Sequence, residues 1–268
     1  MNLTNQQFRL ASRPAGLPDR DTWQLTEESV PDPADGQIAV QVLYTSLDPA
    51  MRTWLNEGES YVPPVGVGEV MRALGIGRPQ AGETVVVSAA AGAVGSLTGQ
   101  IASLKGCRAV GIAGGPEKCR LVTEEYGFDA AIDYKAGQVA QSLRQHCPDG
   151  IDVYFDNVGG EILEAALRNL ARRARIVICG AVSQYNETQV RGPANYLMLL
   201  VARASMTGML VFDYQDQYPQ AMAELGGWLR EGKIVSREHV VHGGVADFPE
   251  TLLMLFDGVN TGKLVLKI

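Results

Sequence analysis

A chain of 268 residues with 46% hydrophobic and 20% charged residues can bury one large core or two modest ones, which excludes a disordered polypeptide. Its net charge of -7, with 23 Lys+Arg scattered among 30 Asp+Glu, leaves no basic footprint for nucleic acid or an anionic membrane. Neither a leader-like N-terminus nor a long uncharged apolar run is present, so a cytoplasmic location is expected.

In chain order, the first 75 residues hold short strand-like pieces, Trp23 to Leu25 and Ile38 to Tyr44, among Pro and Gly. From about residue 84 short β-branched runs alternate with helix-length amphipathic segments. Strands are predicted at Thr84 to Ala89, Ala109 to Ala113, Ala131 to Asp133, Val153 to Asp156, Ile176 to Cys179 and Met209 to Phe212. Helices fall between them at about 94–105, 117–126, 137–146, 161–172, 194–204 and 215–231. Such alternation predicts an α/β fold with a doubly wound parallel sheet, because each crossover needs a helix to return the chain. The tail adds a strand (His239 to Val241), a helix (Pro249 to Phe256) and a strand (Leu264 to Ile268). The two flanks, 1–75 and 238–268, are expected to form a second, mostly β domain around a unit spanning 76–237.

Cys107, Cys119, Cys147 and Cys179 form no Cys-x-x-Cys pair, and are expected to be ordinary reduced thiols. His239 and His242 make a His-x-x-His pair with no Glu or Cys at ligand spacing, and His146 stands apart, so no metal is expected.

The first predicted α/β strand runs into Ala-Ala-Gly-Ala-Val-Gly (90–95), an A-x-G-x-x-G sequence that opens a helix. Gly92 would let the backbone approach a pyrophosphate and Gly95 would let helix pack against strand, while the helix N-terminus offers free N–H groups. Ala90 replaces the first glycine, so the turn must avoid positive φ there. The other Gly-x-Gly pairs, 66–68 and 75–77, lack both the third glycine and a strand-to-helix setting. An NAD-preferring site places Asp or Glu at the end of the second strand, but this one ends Ala113-Gly114-Gly115. Lys118 and Tyr134 can reach the same corner, a combination that favours NADPH. Two alternatives stand beside it: Lys118 on a solvated helix face, and Glu117 as the missing acid.

The ordered segments Ser-Ala-Ala-Ala-Gly-Ala-Val-Gly-Ser (88–96), Gly-Pro-Glu-Lys (115–118), Asp-Tyr-Lys (133–135), Phe-Asp-Asn-Val-Gly-Gly-Glu (155–161), Cys-Gly-Ala-Val-Ser-Gln-Tyr-Asn (179–186) and Asn-Thr-Gly-Lys-Leu-Val (260–265) resemble the zinc-independent medium-chain dehydrogenase/reductases. Within these they are most similar to the prostaglandin reductase, leukotriene hydroxydehydrogenase and curcumin reductase group. Ser-Leu-Asp-Pro-Ala-Met-Arg (46–52) and Tyr-Val-Pro-Pro (61–64) extend the resemblance to the N-terminus. The resemblance implies a Rossmann domain, a GroES-like domain and NADPH-dependent reduction of the C=C bond of α,β-unsaturated ketones and aldehydes, without a metal. It places the pyrophosphate at Ala90, Gly92, Ala93, Val94 and Gly95, and the 2'-phosphate near Gly115, Lys118 and Tyr134. It sets Asn157 beside the cofactor, Gly180 and Tyr185 at the nicotinamide ribose, Leu210 and Phe212 on the sixth strand near the nicotinamide, and Asn260 at the ring end. Tyr185 and Tyr61 are the expected catalytic side chains. Asn157 as a turn cap, Tyr185 as a loop aromatic and Asn260 as an αL residue before Gly262 are the structural alternatives.

Members of this group carry about 70 further residues between segments like Val65 to Val70 and Ile76 to Glu83. Here Leu74-Gly75 runs directly into Ile76-Gly77. The missing piece implies a truncated β domain, expected to be partly disordered or to pair with a second chain as a homodimer, and a substrate cleft short of one wall. Alternatives to an active enone reductase are an impaired NADPH-binding remnant and a quinone oxidoreductase-like enzyme.

Overall fold

A computed structural model describes residues 4–29, 44–56 and 81–268. Two of the sequence's features, Tyr61 and the junction at Gly75-Ile76, lie outside the described residues, as does most of the strand expected at Ile38 to Tyr44.

The N-terminal residues form β1 (Thr4–Leu10) and β2 (Trp23–Ser29), paired antiparallel from Thr4 opposite Ser29 to Leu10 opposite Trp23. Strand β1 is largely polar, with Leu10 its one buried residue, so no β-branched run marks it. After β3 (Tyr44–Ser46) a 3-10 helix, Pro49–Leu55, buries Met51, Trp54 and Leu55.

Residues 84–208 carry six parallel strands: β4 (Thr84–Ser88), β5 (Arg108–Ala113), β6 (Ala130–Asp133), β7 (Ile151–Asp156), β8 (Leu170–Ile178) and β9 (Ser205–Gly208). Their spatial order is β6-β5-β4-β7-β8-β9. Helices α1 (Ala93–Leu104), α2 (Pro116–Arg120), α3 (Val139–His146), α4 (Gly160–Leu167), α5 (Met198–Ala202) and α6 (Tyr218–Arg230) accompany them. A π-helical turn, Leu121–Glu125, prolongs α2. Alternate residues serve opposite faces, as a doubly covered sheet demands. Val85, Val87, Ala109, Ala113, Val153 and Phe155 share one core with Ala102 of α1 and Phe128. Val86, Val110, Ile112, Tyr154 and Ile176 share the other with Leu143 of α3 and Leu163, Ala166 and Leu167 of α4. The ring of Phe128 fills the space left by two glycines: a Cβ on Gly99 would collide with it, and one on Gly111 would lie 3.2 Å from it.

Two elements differ from the sequence-based expectation. Strand β8 starts six residues before Ile176, and α4 ends at Leu167 rather than near 172. The register of β7 on β8 jumps from Ile151 opposite Leu170 to Val153 opposite Arg175, around Arg173 at φ +68°. An Arg-rich bulge thus hides the strand's first half. The sixth strand is Ser205–Gly208; Met209 to Phe212 lie beyond it, with Leu210 at the N-cap of a 3-10 helix, Val211–Gln217, and Phe212 inside that helix. Neither Leu210 nor Phe212 is therefore a strand residue.

The C-terminal stretch forms β10 (Glu238–His242), α7 (Phe248–Asp257) and β11 (Lys263–Lys267). Strand β11 pairs parallel with β10 and antiparallel with β3, where Val265 lies opposite Ser46.

The chain divides into two compact units: residues 1–73, 185–188 and 238–268 in one, and 74–184 with 189–237 in the other. The described residues of the first have buried side chains of their own despite the short chain, including Leu10, Leu47, Trp54, Leu55, Leu252, Leu264 and Leu266. The rings of Phe8, Trp23 and Phe248 meet at 5.4 to 6.4 Å between centroids. Arg52 is buried, and donates to the carbonyls of Gly16 (2.7 Å) and Pro14 (3.2 Å) and to Asn56 Oδ1 (2.7 Å), fixing the 14–16 loop against the 3-10 helix. No helix among the described residues is long and apolar enough to cross a membrane.

Candidate active site

In the dinucleotide-type unit the strand order reverses between β4 and β7, and ligands of such sheets bind outside the carboxyl ends of the strands at that point. Both strand ends carry the sequence's Gly-rich turns. After β4, Gly92 is the N-cap of α1 with extended backbone, and no side chain caps the helix. Ala93, Val94 and Gly95 thus turn the first N–H groups of α1 toward the strand ends. Gly95 is buried, and a Cβ there would collide with the Ala89 carbonyl oxygen and sit 2.8 Å from its carbon and 3.0 Å from Ala90 Cα. Ala90, fully buried, does avoid positive φ; the left-handed conformation falls one residue earlier, on Ala89 at φ +51°.

After β7 the fully buried carboxylate of Asp156 gathers four donors. Its Oδ1 accepts from Tyr154 Oη, Ser88 Oγ and the N–H groups of Val158 and Gly159, all at 3.0 Å, and its Oδ2 accepts from Gly159 N–H at 3.1 Å. Burial and the Asp156 charge push the Tyr154 phenol well above its ordinary pKa, so the phenol keeps its proton and donates it. Ser88 Oγ in turn accepts from Asn157 N–H, and Asn157 Nδ2 donates to the Ser88 carbonyl, both at 2.8 Å. Asn157 is therefore a tie between two strand ends. One buried acid so fixes the last residue of β4, where the phosphate loop starts, and the Val158–Gly160 turn, where Gly159 (φ +70°) and Gly160 (φ +57°) need glycine's freedom. That turn holds the next: Val182 N–H bonds to Asn157 O, and Ser183 N–H and Oγ both bond to Val158 O. Gly180, just past β8, donates to Asp156 O at 3.0 Å. Tyr185, half-buried, follows this turn directly, and groups with the other unit.

A second corner lies at the ends of β5 and β6. Strand β5 ends at Ala113, and Glu117 is exposed in the first turn of α2, which answers the alternative that Glu117 ends the strand. Lys118 is half-buried rather than solvated; burial first, then the nearby Lys135 charge, lowers its pKa. The Asp133 carboxylate, two residues before Lys135, accepts from Gly115 N–H (2.7 Å) and Lys135 N–H (2.9 Å). Its hydrogen bonds hold the Gly115 turn (φ +92°) in place.

In the other unit, Asn260 Nδ2 donates to Gly262 O at 3.1 Å; the positive φ belongs to Gly262, +69°, and not to Asn260. Asp156, Ser88, Gly114 and Lys135 escape the sequence argument. The first lay in plain sight as a lone acid ending an apolar strand before Val-Gly-Gly.

Residues 93–226 match the family described as zinc-binding dehydrogenase, and residues 6–91 the family described as the N-terminal domain of oxidoreductase. The NADPH-dependent curcumin reductase of Escherichia coli is 35% identical over 335 residues, covering 98% of this chain and 97% of that protein. The chain belongs to the medium-chain dehydrogenase/reductases. This reductase chain is also 46% identical to the NADP(+)-dependent 2-alkenal reductase of Nicotiana tabacum over 191 residues, which is 71% of the chain and 55% of that protein. Its backbone matches the crystal structure of CurA in complex with NADPH from Vibrio vulnificus with a TM-score of 0.89 and 36% identity, over 98% of this chain and 99% of that one. Against the 335 residues compared with curcumin reductase this chain offers 268, so at least 67 positions have no counterpart here. The matched family's description mentions zinc, but among the described residues no group of three or more His, Cys, Asp or Glu is placed to hold an ion.

Proposed function

We propose that the chain is an NADPH-dependent reductase of the C=C bond of α,β-unsaturated ketones and aldehydes. What carries this reading is the pair of switch-point turns at 88–95 and 156–160, with a lysine corner in place of a ribose-binding acid, in a chain similar throughout to a curcumin reductase. The N–H groups of Ala93, Val94 and Gly95 would receive the pyrophosphate, and Lys118 with Tyr134 the 2'-phosphate. The bound nicotinamide supplies hydride to the β-carbon of the enone. Negative charge then gathers on the enone oxygen, and donors must stand where it develops. Tyr185 would orient a ribose hydroxyl for that purpose, Gly180 would leave room beside it, and the α-carbon would take its proton from solvent. Asn157, Leu210, Phe212 and Asn260 would bound the nicotinamide end, and Tyr61 the substrate side.

The shortened chain favours a second reading, a remnant that binds NADPH without turnover, because a cleft short of one wall admits water. Titrating NADPH by fluorescence, and then following its oxidation with a long-chain 2-alkenal, an enone and a quinone, separates the readings. Turnover of the alkenal or enone is expected; tight binding with no turnover leaves the remnant, and turnover of the quinone alone leaves a quinone oxidoreductase. In the active protein Tyr185→Phe should lower kcat about tenfold or more while changing NADPH affinity less than about twofold. Equal losses in both would remove the role given to Tyr185.

A cytoplasmic location fits four cysteines that form no disulfide, the state that a reducing compartment maintains. A homodimer is part of the same reading. Strand β9 ends the sheet with all four residues exposed, whereas strands of parallel sheets are ordinarily covered on both faces. Just before it in the chain, Leu200 and Val201 of α5 are 75% and 60% exposed, apolar surface that a second copy would cover. Sedimentation equilibrium should give twice the 28.8 kDa chain mass, and a monomer at micromolar concentration would refute the dimer.

A further inference from the structure

Gly114 is glycine for a reason that backbone conformation does not supply. It lies at the end of β5, outside the left-handed region that Gly115 occupies at φ +92°. An ideal Cβ on Gly114 would stand 2.9 Å from Tyr134 Cε1, 3.0 Å from its hydroxyl oxygen and 3.1 Å from its Cζ. The phenol end of Tyr134 therefore rests in the space that a side chain at 114 would fill. The backbone beneath that ring is fixed, because Asp133 holds the N–H groups of Gly115 and Lys135 at 2.7 and 2.9 Å. Tyr134 is 41% exposed, so a side chain at 114 would be accommodated by swinging its ring outward rather than by moving the strand.

We propose that Gly114 is a specificity-determining residue that acts through Tyr134: its missing side chain seats the phenol at the corner shared with Lys118 and Lys135, where a 2'-phosphate is received. The inference rests on the NADPH reading above and adds a steric element to it. The end of the second strand is where an NAD-type carboxylate would stand. In this chain that place lacks an acid and is also occupied, so any side chain introduced there displaces a ligand of the phosphate before it offers anything to a ribose. Because the effect is steric, a methyl group is enough to produce it.

The test is a double-mutant cycle on the whole protein with Gly114→Ala, Tyr134→Ala and the pair, reading the affinities of NADPH, NADH, 2',5'-ADP and 5'-ADP by calorimetry. Gly114→Ala should weaken NADPH and 2',5'-ADP about five- to tenfold and leave NADH and 5'-ADP within twofold. Tyr134→Ala should do the same, and Gly114→Ala should add nothing in its presence. Full NADPH affinity in Gly114→Ala, an equal loss for NADH, or an undiminished effect on the Tyr134→Ala background would each overturn the proposal. Circular dichroism of each variant guards against a folding defect, which would weaken all four ligands together and so count as an equal loss. A wild-type protein that binds NADH as well as NADPH would instead overturn the cofactor reading, and that measurement is made before any substitution.

Discussion

Asp156→Ala is expected to lower the melting temperature by about 10 °C and to abolish turnover. The substitution leaves Tyr154 Oη, Ser88 Oγ and the N–H groups of Val158 and Gly159 facing a void, with Tyr154 and Ser88 fully buried. Each buried donor left unsatisfied costs about 1–3 kcal/mol, and breaking one side of a buried charged network about 3–5 kcal/mol in all. At roughly 2–4 °C per kcal/mol for a chain of this size, the shift is readily seen by calorimetry. Asp156→Asn keeps one acceptor oxygen and should fall between the two. A melting temperature within about 2 °C of wild type for the alanine variant would mean that the network contributes little.

The second large effect belongs to Gly95. A methyl group there meets backbone, the Ala89 carbonyl and Ala90 Cα, rather than the yielding end of a side chain. Either α1 retreats from β4 or the 89–92 turn opens, and in both cases the N–H groups of Ala93 to Gly95 leave their place. Overpacking of this sort costs about 1–3 kcal/mol, so Gly95→Ala should weaken NADPH binding by about ten- to a hundredfold. Gly227→Ala is the control: beyond its chain neighbours and its own helix backbone nothing lies within 4 Å of the added carbon, and alanine is the better helix former, so α6 should be unharmed. Unchanged NADPH affinity in Gly95→Ala would remove the 90–95 turn from the cofactor site.

How far the sequence could be read depended on whether a residue's role shows in its own neighbourhood. Strands β4, β5 and β7 are buried on both faces, and their apolar runs located them to within two residues. Strand β9 has no such run because all four of its residues are exposed, and the apolar Met209-Leu-Val-Phe beyond it drew the assignment four residues late. Strand β8 hid behind Arg172 and Arg173 for a related reason: its bulge carries charge where a buried strand would carry valine. The cofactor turns were legible because Gly92 and Gly95 act locally. Asp156 and Gly114 were not, since the first works through Ser88, 68 residues away, and the second through Tyr134, 20 residues on. Only the fold brings those partners together.

The pairing of β3 with β11 sets an order of events on the ribosome. Ser46 finds its partner Val265 only when nearly the whole chain has been made, which at about 5–20 residues per second is roughly 10–40 s after its own synthesis. All six parallel strands are complete by Gly208, well before that. The nucleotide-type unit is therefore free to fold while the N-terminal residues wait for the last few to emerge. A shortening ahead of β4 removes none of those six strands, and so leaves the earlier folding step undisturbed.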